Sequence, residues 1–202
     1  AFIELTPDGK PVATKFANTI IRSAKRLRYV EAQAILDRKD DIPHPDGPKT
    51  INDYDPEVVA LLDDMDELAK VIQQRRHKAG QLVLGLPEVN LVLDDEGKVA
   101  GAVPEDESYT HTLIEMFMVE ANEAVARLLD TLNVPFLRRV HGEPNPDAVE
   151  KLRGVLMVLG YKLGKVVDRH ALQALLASVK GKPEAFAVNL AVLKTLARAE
   201  YS

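Results

Sequence analysis

The stretch "HTLIEMFMVEANEAVARLL", residues 111–129, decides how the second half of the chain folds. At roughly 100° per residue, the spacing predicts one long amphipathic helix. Leu113, Phe117, Ala121, Ala124, Val125 and Leu128 then fall on one face, and Met116, Glu120, Glu123 and Arg127 on the opposite, wet face. Glu115 and Asn122 belong to neither set. Seven positions, two turns and about 10 Å apart, they sit among Met118, Val119, Ala126 and Leu129. An acid and an amide inside an apolar sector call for a reason.

Outward from that helix, the pattern changes with direction. Towards the C-terminus it predicts further helices over about 145–159, 168–179 and 183–199, with Asn145-Pro146 and Lys182-Pro183 as start signals. Towards the N-terminus, "QLVLGLPEVNLVLDDEGKVAGAVPEDES" reads as strand, turning at Asp95-Glu96-Gly97. Asp55-Pro56 opens a long helix to about residue 78, with Gly80 as its stop. Before it lie a proline-broken loop, a short helix over 29–37 and a hairpin turning at Asp8-Gly9. The class is α+β: β-hairpins in the N-terminal half packed with a helical C-terminal half. We expect a single partial domain over 1–202, with hairpins plus one long helix in 1–107 and helices in 108–202.

Composition narrows the function classes. With 202 residues, 46% hydrophobic and 28% charged, the chain can bury a core. No run approaches the ~20 apolar residues of a membrane helix, no basic-then-apolar leader follows Ala1, and there is no cysteine, so a soluble cytoplasmic protein is expected. The net charge of −5 argues against polyanion binding by overall field. Positive charge is nonetheless clumped at Arg22–Arg28, Arg75–Lys78 and Arg138–His141. Each clump is either solvated surface or, where clumps converge in space, a phosphate-binding patch.

Reactive chemistry is sparse. Five histidines occur without zinc spacing, and His111 with Glu115 makes only an i, i+4 pair. No serine stands in a nucleophile elbow and no glycine loop is built to cradle phosphate. The Asp40-Asp41, Asp63-Asp64 and Asp94-Asp95 pairs read as a loop, a helix surface and a turn. We therefore expect no catalytic residue and no metal ligand in this chain.

Four ordered motifs carry a resemblance. "TIIRSAKRLRYVEAQAIL", "LIEMFMVEANEAVA", "PFLRRVHGEPNPDAVEKLRGVLMVLGYKL" and "LKTLARAEYS" resemble, in sequence and spacing, the middle of the catalytic domain of the ribonuclease II / ribonuclease R (RNB) family of 3′→5′ exoribonucleases. The resemblance implies hydrolysis of single-stranded RNA to 5′-nucleotides by a protein using Mg2+, with no part for DNA or membrane. It also implies that the metal-binding aspartates lie upstream and the catalytic arginine downstream, so that this segment alone is inactive and binds no metal. By the same resemblance Tyr29, in "RLRY", matches the tyrosine that lines the RNA channel, and Glu115, in "LIEM", matches the first acid of the family's "LIEE". Arg139 and His141 match "RVHExP", a phosphate contact or a tether for that turn, and Asn122 matches a structural amide. Departures are Arg28 for threonine, Ala79 for arginine, Met116 for the second glutamate and Lys194-Thr195 for Arg-Ser. They leave open a non-catalytic RNB-like module that binds RNA or protein.

Overall fold

The computed structural model describes residues 1–202 and is α+β, with six helices and small antiparallel strand pairs. Its elements are β1 (Phe2–Leu5), β2 (Pro11–Lys15), α1 (Tyr29–Leu36), α2 (Pro56–Lys78), β3 (Val89–Leu93), β4 (Val99–Pro104), α3 (Tyr109–Thr131), β5 (Arg139–His141), α4 (Pro146–Val158), α5 (Arg169–Val179), α6 (Ala185–Leu193) and β6 (Ala199–Tyr201). Two compact units divide the chain, one of residues 1–76 and 106–134, the other of residues 77–105 and 135–202.

The first unit holds β1, β2, α1, α3 and nearly all of α2. Its hairpin turns where the sequence places a turn, with Gly9 at φ +79°. A side chain at Gly9 would meet the Val71 Cγ1 methyl of α2 at 2.9 Å, so the turn seats backbone directly on that helix. The start of α2 follows its signal, Asp55 accepting the Glu57 N–H at 2.9 Å. Ala32, Ala34, Ile35, Ile42, Tyr54 and Leu62 form one buried cluster. Ala69, Ile72, Leu113 and Met116 form a second, between α2 and α3.

The roll of α3 differs from the expectation. Its buried residues are Thr110, Leu113, Met116, Glu120 and Ala124, while Val125 is exposed. Met116 and Glu120, placed on the wet face by periodicity, are instead 1% and 3% exposed. The cause is a charge partner from α2: Glu120 pairs with both Arg75 and Arg76, and Arg76 also bonds Glu123 at 2.7 Å. That ion cluster turns Glu120 inward and rolls Glu115 and Asn122 outward to exposed positions.

In the second unit Leu152, Leu156, Leu172, Leu175, Leu176, Val179, Val188 and Val192 make the core of α4, α5 and α6. Residues 81–86, expected as strand, run irregularly across it, with Leu82 and Leu84 packed on the cluster. Asn189 of α6 fixes that path by accepting the Gly85 N–H at 2.7 Å. The last helix stops at Leu193, short of the expected 199, and β6 pairs antiparallel with β5, an unexpected sheet in a helical half. The β3–β4 hairpin stands as a two-stranded sheet. No helix is long and apolar enough to cross a membrane.

Candidate nucleic-acid interface

Tyr29 is the first residue of α1, and a capping box fixes it there. The preceding Arg28 N–H donates to the Glu31 carboxylate at 3.2 Å. Glu31, only 2% exposed, also accepts the Tyr54 hydroxyl at 2.8 Å. Burial, then the bond to Glu31, pushes the Tyr54 phenol up to about 12, so it stays a donor at any physiological pH. A buried acid thus anchors the turn that presents an exposed ring. Periodicity gave no sign of it, because Tyr54 stands 23 residues away.

The ring itself rests on α3. Tyr29 and His111 stack with centroids 3.7 Å apart and planes 24° from parallel. The Thr110 hydroxyl donates to the Tyr29 carbonyl at 2.9 Å, and the Thr110 N–H to the Gln33 side-chain oxygen at 3.1 Å. On its far side His111 Nε2 lies 3.1 Å from Asp106 Oδ2. Burial acts to raise the Asp106 carboxyl, but the bonds from His111 and Ser108 outweigh it and hold it below the usual carboxylate range. An ionised carboxylate only accepts, so Nε2 carries the proton.

Glu115 follows His111 by four residues, hence about 6 Å along the same face of α3. It is exposed, flanked by the exposed apolar side chains of Ile114 and Met118. The opening puzzle dissolves: the sector around Glu115 is apolar but not buried. Tyr29 and Glu115 therefore come to one side of the first unit, linked by the His111 turn. A groove of about 330 Å3 opens beside Tyr29, lined by Leu61, Met65, Leu113 and Ile114 with Lys25 and Arg28. Glu115 is not among its lining residues.

Arg139 and His141 lie in the second unit, exposed on β5. An Arg139 guanidinium nitrogen donates to His141 Nε2 at 3.3 Å, which leaves Nδ1 as the donor to the Ala197 carbonyl at 3.1 Å. His141 thus ties β5 to the approach of β6, while Arg139 keeps further N–H groups free of that bond. The three basic clumps behave differently. Arg22, Lys25, Arg26 and Arg28 are exposed on the segment leading into α1. Arg75 and Arg76 are spent inside the first unit on Glu120 and Glu123. Among the described residues no three His, Asp or Glu side chains gather to hold a metal ion.

The sequence pattern of the RNB domain matches residues 1–202. The chain belongs to the RNB family. Ribonuclease R of Thermotoga maritima is 31% identical over 203 residues, covering 99% of this RNB chain and 27% of that protein. Ribonuclease R of Aquifex aeolicus is 32% identical over 186 residues, covering 91% and 25%. The RNB chain thus spans about a quarter of the length of these curated relatives. Among solved structures, the apo form of Mycoplasma genitalium RNase R aligns with a TM-score of 0.84 at 24% identity, over 99% of this chain and 30% of that one. The same RNase R in complex with ribose methylated single-stranded RNA aligns at 0.72, again with 24% identity, over 86% and 26%. The fold is that of the RNase R RNB domain.

Proposed function

We propose that this chain forms part of the RNA channel of a ribonuclease R-type 3′→5′ exoribonuclease, one that degrades single-stranded RNA to 5′-nucleotides in the cytoplasm. Family membership over the whole chain supports the activity. The observation that carries the site is the exposed Tyr29 ring, backed by His111, with Glu115 one turn along the same helix. The free face of the ring offers a base a stacking surface, worth about 1–3 kcal/mol per base. The Glu115 carboxylate accepts a hydrogen bond from a ribose 2′-hydroxyl, which RNA has and DNA lacks. The guanidinium of Arg139 offers phosphate a charged donor, with His141 holding the strand that presents it.

On this reading residues 1–202 are one partial RNB domain, and hydrolysis with Mg2+ belongs to residues outside them. The test uses fluorescence anisotropy with labelled oligoadenylate RNA and DNA. Tyr29→Ala should weaken RNA binding about 5- to 150-fold. Glu115→Ala should lower the RNA-over-DNA preference while leaving DNA affinity unchanged. If neither variant alters binding to either strand, the channel assignment fails. Adding Mg2+ should leave the RNA uncut by this chain, and shortening of a 5′-labelled oligonucleotide by the pure chain would overturn the placement of the chemistry elsewhere.

A further inference from the structure

We propose that His111 is the positioning residue for Tyr29, fixing the plane in which that ring meets RNA; the inference rests on Tyr29 facing RNA as set out above. A tyrosine on the first turn of a short helix, 42% exposed, has little of its own to hold its ring in one rotamer. Here a second ring supplies the hold. The imidazole covers one face at a centroid separation of 3.7 Å, and the exposed part of the ring is what a base would meet.

His111 can act as a brace because it is itself braced. Its Nε2–H donates to Asp106 at 3.1 Å, and Asp106 in turn accepts the Ser108 N–H at 3.1 Å and the Ser108 hydroxyl at 3.0 Å. The spacing of the two rings is also set by backbone. Thr110, next to His111, donates its hydroxyl to the carbonyl of Tyr29 itself, so the helix start carrying one ring is bonded to the helix start carrying the other. With the ring immobilised beforehand, RNA does not have to order it on binding, and the gain in affinity is about three- to tenfold. A purine entering would be the third layer of a His111–Tyr29–base stack.

The experiment measures RNA affinity by anisotropy and base stacking by quenching of 2-aminopurine at the RNA 3′ end. His111→Ala should weaken binding about three- to tenfold and relieve part of the quench. His111→Phe, which restores a flat ring, should bind within about twofold of the parent. In a Tyr29→Ala background, His111→Ala should change nothing further. His111→Leu, bulky but not flat, should match His111→Ala and serves in its place if the alanine variant does not fold. A Tyr29→Ala defect with no His111→Ala or His111→Leu defect sinks this inference alone. An undiminished His111→Ala effect in the Tyr29→Ala background also sinks it, since His111 would then touch RNA directly. A silent Tyr29→Ala removes the reading on which it rests, and this inference with it.

Discussion

Replacing Glu120 by Gln tests the roll of α3, and with it which side of the helix is available to RNA. Glu120 is 3% exposed and contacts the guanidinium groups of Arg75 and Arg76, whose side chains are 19% and 21% exposed. Glutamine keeps the shape and one acceptor oxygen but removes the charge. Its amide would stand where Glu120 Oε2 has no partner, so no new bond offsets the loss. Each guanidinium stays charged and can still donate to the amide oxygen, but both lose their anionic partner, a loss of up to about 3–5 kcal/mol for a fully buried pair. Here about 2–3 kcal/mol is expected, because the two arginines are partly exposed, Arg75 keeps the Gly9 carbonyl at 2.9 Å and Arg76 keeps Glu123 at 2.7 Å. The assay is urea unfolding followed by circular dichroism, with Glu115→Gln as control. Glu115 is exposed, and its replacement should stay within about 0.5 kcal/mol. Equal losses for the two variants, or a larger one for Glu115→Gln, would show that α3 is rolled the other way. The RNA-facing assignment of Glu115 would then fall.

Tyr54→Phe takes the hydroxyl from a buried carboxylate and should destabilise the chain by about 1–3 kcal/mol in the same assay. A loss within experimental error would mean that Glu31 is satisfied without it. Gly80→Ala should cost more than 1 kcal/mol, because Gly80 sits at φ +89° and the added carbon meets Arg169 Cβ at 3.3 Å. Gly97→Ala, at φ +76° in open space, should cost less; the reverse order would contradict the close approach. Burial acts to raise Glu123, but Arg76 outweighs it and holds the carboxyl below its ordinary 4.5. A depressed carboxylate stabilises the fold above its unfolded pKa, and that contribution is lost as pH falls from 4.5 through the folded value. Acid titration of unfolding stability should therefore drop less steeply below pH 4.5 in Arg76→Met than in the parent, and parallel curves would remove the pairing as its cause.

What could be read from the sequence is what is local. The Asp8-Gly9 turn, the Asp55-Pro56 and Asn145-Pro146 starts and the α3 boundaries depend on residues within one or two turns of each other, and they lie where expected. What escaped are the features made by partners far along the chain. β5 and β6 are three residues each, pair across 57 intervening residues at His141 and Ala199, and have no connecting turn to announce them. The same limit misread α3, which carries more apolar side chains than one face can bury. Hydrophobic phase alone leaves two rolls of the helix close in energy, and the choice falls to Arg75 and Arg76, 45 and 44 residues away from Glu120. Burying Glu120 sends Ile114, Met118 and Val125 to the surface, at 41%, 54% and 43% exposure. Exposed apolar side chains gathered on one side of a helix are a candidate binding surface. Here the strip brackets Glu115 and runs on from the His111–Tyr29 stack. An internal ion cluster, chosen by stability, thereby sets which side chains remain to meet a ligand. Of the Arg75–Lys78 clump, which the sequence left open between solvated surface and a phosphate patch, Arg75 and Arg76 are instead taken up by the ion cluster that rolls the helix whose other side faces out.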